Sequence, residues 1–185
     1  MSNNSYIFPL AQKRHSTNQI APKVPLKQVV VIAFLTIFML ESCDSSRIYE
    51  QNQEIDGAEW AEQESKEFVF SIDNTEFLYN VYINVRNKNE YAYNNLFLFI
   101  EMTAPDEKFF ADTIEFTLAD KSGRWTGTGI GNTWQNQFAL LKGVKILIPG
   151  EYKVTIRHGM RQDTLNSISD VGLRVEKVGI RVEKE

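Results

Sequence analysis

The chain has 185 residues, with 20 Lys and Arg against 24 Asp and Glu, a formal charge of −4. Beyond residue 42 it keeps 16 of those bases and 23 of those acids, a formal charge of −7; an acidic body gains no counterion release from phosphates, which excludes nucleic acid as a partner. One cysteine, Cys43, rules out an internal disulfide, and His158 as the single histidine beyond residue 42 leaves no histidine-built zinc centre.

Residues 1–22 are polar, carry Lys13, Arg14 and His15 and hold no sustained period, so they read as an unstructured extension; translation is expected to start near Val24. Residues 23–42 read as a lipoprotein signal peptide. Lys23 and Lys27 precede the uncharged apolar run 29–40, which is shorter than the roughly 20 residues that a permanent span needs. Leu40, Glu41, Ser42 and Cys43 follow the pattern of a bacterial lipobox, with a branched apolar residue three positions before the cysteine and a small one just before it. Cleavage is expected between Ser42 and Cys43, with diacylglycerol on the thiol and an acyl group such as palmitate on the new amino terminus. Each buried methylene contributes about 0.8 kcal/mol, so two or three chains hold the protein to a membrane where one would not. Glu41 departs from the small or apolar residue usual at its place.

Residues 43–65 read as a lipidated acidic tether, part of which lies back on the domain through Ile48, Tyr49, Ile55 and Trp60. Residues 44–67 carry eight acids against Arg47 and Lys66, a composition that favours solvation. From residue 66 the period is two. Phe68, Phe70 and Ile72, then Tyr79, Val81, Ile83 and Val85, alternate with polar neighbours or a single Val, as half-buried strands do. Asn87, Lys88, Asn89 and Glu90 form a break, and the run 96–100 reads as a strand buried on both faces, ended by Pro105 and Asp106. Further strands are expected over 112–118, 138–148, 151–157 and 171–178, with Pro149 and Gly150 in a tight turn. No amphipathic helix is read beyond residue 42. Seven or eight short strands at roughly ten-residue spacing predict an all-β fold, a single antiparallel β-sandwich over 66–180 with a tail at 181–185.

No catalytic or metal-binding residues emerge. The loop 163–170 lacks the alternating acids of a calcium loop, Gly127, Gly129 and Gly131 are followed by no helix and read as a β-connection, and no Gly-x-Ser-x-Gly elbow exists. No cofactor is called for, and the residues name no particular small-molecule ligand. Trp60, Tyr91, Tyr93, Trp125 and Trp134 fall in loops or at strand ends, where rigid amphipathic rings either cap a core or form a contact surface for a protein or a glycan.

Several separated strings resemble the gliding-motility lipoprotein GldH family of Bacteroidota. They are Tyr82, Ile83, Asn84, Val85, Arg86, Asn87; Tyr91 and the run 93–99; Asp112, Thr113; Leu118, Ala119, Asp120; Gly123, Arg124, Trp125; Met160, Arg161; and Asp170, Val171, Gly172, Leu173, Arg174. Cys43, Asp44, Ser45, Arg47, Tyr49 and Trp60 match the family's amino-terminal pattern, while Ala92 and Thr126 depart from it. The resemblance implies a lipid-anchored cell-envelope component needed for gliding and linked to type IX secretion. Its expected partners are the membrane and other gliding or secretion proteins, and no catalytic residues come with it. Without an acidic cluster directly after Cys43, the expected placement is the outer membrane, facing the periplasm. The two functions carried forward are a non-enzymatic structural or assembly protein and, as the alternative, a glycan- or peptidoglycan-binding module.

Overall fold

The computed structural model describes residues 44–181, together with the isolated positions Pro25 and Lys27. The rest of the leader, the Ser42–Cys43 cleavage point, lipidation at Cys43 and residues 182–185 lie outside the described residues.

Eleven strands follow one another: β1 Arg47–Glu54, β2 Glu59–Ala61, β3 Lys66–Ile72, β4 Phe77–Lys88, β5 Asn95–Thr103, β6 Phe109–Thr117, β7 Thr128–Ile130, β8 Thr133–Lys145, β9 Gly150–His158, β10 Thr164–Asn166 and β11 Ile168–Arg181. All pair antiparallel, in a five-stranded sheet ordered β1-β11-β4-β8-β7, a four-stranded sheet ordered β3-β9-β5-β6, and a ribbon of β10 with β2. Among residues 44–181 the one helical element is a 3-10 turn at Asp56–Ala58, whose last two residues, Gly57 and Ala58, take positive φ.

The two larger sheets form the expected sandwich. Tyr79, Val81, Ile83 and Val85 of β4 with Val171, Leu173 and Val175 of β11 face Phe68, Phe70 and Ile72 of β3, Leu96, Leu98 and Ile100 of β5 and Val154 and Ile156 of β9. Each such fully buried side chain contributes roughly 1.5–3 kcal/mol. Rings bridge the layers at both sides, Tyr49 to Phe70 at 5.8 Å and Phe116 to Phe138 at 4.7 Å.

The strand number exceeds the expected seven or eight because β2, β7 and β10 are three residues long, too short to display a period. Three further differences have physical causes. Residues 44–65 lie back on the domain through Ile55 and Trp60 as expected, but more fully than a tether that does so in part, since β1 adds to the edge of β11. Acidity misled there because Glu50 is paired by Arg47 and Arg174, and Glu64 by Lys66. The run 96–100 is buried on one face only; Phe97 and Phe99 point outward, half-covered, with the Arg157 guanidinium over the Phe99 ring at 5.6 Å. Finally, β8 lies earlier than the predicted 138–148, because residues 146–149 leave the sheet to reach β9.

The sandwich has two ends. The entry end holds the start of β1, the β5–β6 turn and residues 146–149. The loop end holds the ribbon, the segment 89–94, the segment 118–127 and residues 159–163.

Candidate interaction surface

At the loop end the chain builds a supported cluster of rings. Asp120 Oδ1 accepts from the backbone N–H groups of Ser122 and Arg124 and from the Ser122 hydroxyl, its Oδ2 accepts from Arg124 Nε at 3.0 Å, and Gly123 takes φ +81. The Ser122 hydrogen bond, foremost, holds the Asp120 carboxyl below its usual range. This turn returns the chain so that Trp125 bridges to Ala119 and its ring comes to 6.4 Å from Tyr91. Tyr91 is buried; its hydroxyl donates to Asn95 O at 2.9 Å, and burial pushes the phenol pKa well up. Tyr93 stands edge-on to Tyr91 at 5.6 Å.

Beside Tyr93 the surface opens into a hollow of about 390 Å³ lined by Tyr93, Phe97, Gly159, Met160, Arg161 and Gln162. Met160 is fixed by the Phe97 N–H, which donates to its Sδ at 3.4 Å, while Gly159 N–H donates to Phe97 O at 2.7 Å. Gly159 admits the Phe99 ring, whose atoms lie 3.1 Å from where a Cβ would stand. The hollow therefore has an apolar floor and a polar rim from Arg161 and Gln162, the pattern of a recognition surface.

Of the five rings expected either to cap the core or to form a contact surface, the structure brings three together: Tyr91 as support, Tyr93 at the hollow, Trp125 behind them. Trp60 is core: its indole N–H donates to Glu64 O at 2.9 Å, and its ring meets His158 edge-on at 5.5 Å. The ribbon carries it under the sheets with Ile55, Leu165 and Ile168, which removes it from any contact surface. Tyr91, at 5% exposure, offers a partner little more. Trp134 sits apart, its Nε1 donating to Asn89 Oδ1 at 2.6 Å and its ring lying over Gly129, where a Cβ would stand 2.7 Å from the indole.

Sequence reasoning missed Phe97, Met160, Arg161 and Gln162 as one site, since register alone joins the start of β5 to the residues after β9. It also missed the outer face of the five-stranded sheet. There Asn52, Gly172, Asn84 and Gln137 stand in one cross-strand row. Gln137 Nε2 donates to Asn84 Oδ1 at 3.0 Å, and Asn84 Nδ2 reaches Asn52 Oδ1 at 3.4 Å over Gly172, where a Cβ would run into that oxygen. Arg174 joins Asp44, Glu50 and Glu176, and Arg86 meets Asp170 at 3.4 Å. Burial, partly opposed by Arg86, raises the Asp170 pKa. The alternation of Asn80, Asn84 and Arg86 with Val81, Ile83 and Val85 was the available signal. Arg174 and Arg86 thus tie up the acids Asp44, Glu50, Glu176 and Asp170 on this face.

A family model described as GldH lipoprotein matches residues 47–175. The chain is 36% identical over 156 residues to a protein of Christiangramia forsetii named gliding motility lipoprotein GldH homolog, covering 80% of this chain and 94% of that one. It is 29% identical over 153 residues to the gliding motility lipoprotein GldH of Flavobacterium johnsoniae, covering 79% and 94%. Among solved structures it is similar to the VP2 subviral particle of infectious bursal disease virus, with TM-score 0.33 and 20% identity, covering 72% of this chain and 33% of that one. A second structure of that virus, the Gx strain, gives TM-score 0.30 at 18% identity, covering 74% and 35%. Those two likenesses carry no argument.

Proposed function

The chain belongs to the GldH lipoprotein family, and on that premise we propose that it is a lipid-anchored cell-envelope component of gliding motility, working through protein–protein contacts at its loop end. The observation that carries this is the match over residues 47–175 to lipoproteins named for gliding motility, with named relatives aligned along nearly their whole length. Lipid on Cys43 confines the domain to two dimensions and raises the effective concentration of membrane-bound partners, so weak contacts suffice. Its work is structural or assembly work linked to type IX secretion, without catalysis, from the outer membrane into the periplasm. In support, the loop end offers an apolar hollow with a polar rim, while acids on the polar sheet face are engaged by ion pairs within the chain.

A photo-crosslinking side chain at Tyr93, in the full-length protein in cells, tests the reading. It is expected to trap a motility or secretion protein, and Tyr93→Ala combined with Met160→Ala is expected to reduce colony spreading at unchanged protein level. Unchanged spreading with no crosslink would refute it. Protease treatment of intact cells checks placement: loss of the protein while periplasmic markers survive would move the domain to the cell surface.

The glycan-binding alternative is favoured by one feature, the Tyr93 and Trp125 rings beside Arg161 and Gln162, a combination that stacks on and hydrogen-bonds to sugars. Titration of the full chain with peptidoglycan fragments would give a saturable tryptophan fluorescence shift, lost in Trp125→Ala.

A further inference from the structure

Every exposed large hydrophobic residue among the described residues belongs to the entry-end half: Ile48, Val69, Phe109, Phe110 and Leu147. Phe109 is 63% exposed and Leu147 70%, without the polar atom that lets Tyr or Trp face water at low cost. Register groups Val69 with Phe109 and brings Phe110 beside the hollow that Leu147 lines, while Ile48 stands at the same end on the edge strand β1. Phe109 stands in one cross-strand row with Thr103, Lys153 and Val69 on the outer face of the four-stranded sheet. Phe110 lies opposite Met102. Met102 and Leu147 in turn line an apolar hollow of about 280 Å³ whose other walls include Phe70, Val144, Ile146 and Tyr152.

The chain enters the fold at this same end. Arg47 pairs with Glu176, Glu176 with Asn80, and the next pairs along β4 are Tyr79 with Val144 and Leu78 with Lys145, two residues before Leu147. Asp44 is fixed there: Arg174 binds its carboxylate, Asp44 Oδ1 accepts from Ser46 N–H and hydroxyl, and Lys177 N–H donates to Ser46 O at 2.8 Å. One peptide unit, about 3.8 Å between Cα atoms, then separates Asp44 from Cys43.

We propose that the entry end is a membrane-docking face, on which Ile48, Phe109, Phe110 and Leu147 rest in the lipid interface while the loop end points away from it. This rests on the reading that Cys43 carries lipid, and it replaces a domain reaching on a leash with one seated on the bilayer. Where apolar side chains enter an interface they sink about 5–10 Å, to the boundary of headgroups and acyl chains. Charge plays little part, because Lys108 and Lys145 at the hollow are accompanied by Asp106 and Glu107, and Lys108 is already paired with Asp106 at 2.7 Å. Docking is therefore expected in neutral as well as anionic vesicles, and to persist in high salt.

The test uses the full-length lipidated protein, in which acylation consumes the Cys43 thiol, so that Phe110→Cys, Leu147→Cys or Arg161→Cys carries a single fluorescent label. In vesicles of phosphatidylethanolamine and phosphatidylglycerol with brominated acyl chains, labels at 110 and 147 are expected to lose most of their fluorescence. The label at 161, on the loop end, is expected to keep it. Equal fluorescence at all three positions in vesicle-retained protein overturns the docking face. So does a crosslink joining position 110 of two copies without quenching, which would give the face to a second copy. Cys43→Ser in the full chain tests the anchor separately: unaltered membrane retention and precursor mass would refute lipidation, whereas intact retention with unquenched labels refutes docking alone.

Discussion

At the loop end, large aromatic side chains finish in bonded polar atoms: Trp60 on Glu64, Tyr91 on Asn95, Trp134 on Asn89. At the entry end, Phe109, Phe110 and Leu147 meet solvent with nothing polar to offer it. Both ends are rich in apolar surface, yet at one most rings are bonded in place and the hollow beside Tyr93 has a polar rim, while at the other the side chains meet solvent with no polar cover. The difference teaches that residue type alone does not mark a surface. Trp60 and Trp134, candidates for core cap or contact alike, serve as fold closure, and plainer hydrophobes mark the end left uncovered among the described residues.

Four changes break or sharpen that contrast. Trp60→Ala is expected to cost about 3–5 kcal/mol, as other truncations of large buried aromatics do; urea unfolding followed by far-UV circular dichroism measures it, and a cost below that of a surface mutation would mean the ribbon does not close the loop end. Asn136→Ala comes next. Asn136 Nδ2 donates to Asn87 Oδ1 at 3.1 Å and its Oδ1 accepts from Thr126 Oγ1 at 3.2 Å, so truncation leaves buried partners unpaired. About 1–3 kcal/mol is expected, read by the same unfolding experiment.

The third change is pH. His158 is fully buried against Trp60, neither ring nitrogen makes a hydrogen bond of normal geometry, and burial pushes its pKa below the usual range, with the Trp60 backbone and Glu62 opposing. The unfolded chain then binds a proton in a range where the folded one does not. Stability contributed by neutral His158 is present above about pH 6.5 and declines below it, by at most about 1.4 kcal/mol per pH unit. Thermal unfolding between neutral and mildly acid pH should show that slope, and His158→Phe should remove it. The smallest effect belongs to the open end: Phe109→Ser and Leu147→Ser are expected to change stability by no more than about 0.5 kcal/mol, as exposed positions do. A large loss there would make the entry end core, and the contrast between the ends would fail.

Period two announced β3 and β4, and β9 and β11 were expected as further strands, because each shows the core one row of apolar side chains and shows solvent the other. In β5 the same rule was masked: Phe97 and Phe99 are as apolar as Leu96 and Leu98, and only the positions of Arg157 and Gly159 assign them to the outer face. β1 was hidden by its polarity, since an edge strand carrying Glu50, Asn52 and Glu54 outward reads as a solvated spacer until Arg174 and Asn84 are placed beside it. The loop-end hollow was legible only in fragments, with Tyr93 visible and Met160 and Arg161 seen merely as part of a familiar string.

By itself, then, the amino-acid order determined the all-β class, most of the core and kinship with gliding-motility lipoproteins, because alternation and rare residue strings are local properties of a chain. Which rings are buried, which acids are engaged by ion pairs, and which end is left apolar beside Asp44 were decided by tertiary structure. Those outcomes depend on register between strands as far apart as Glu50 and Arg174, and pairing over such distances leaves no periodic trace in the sequence.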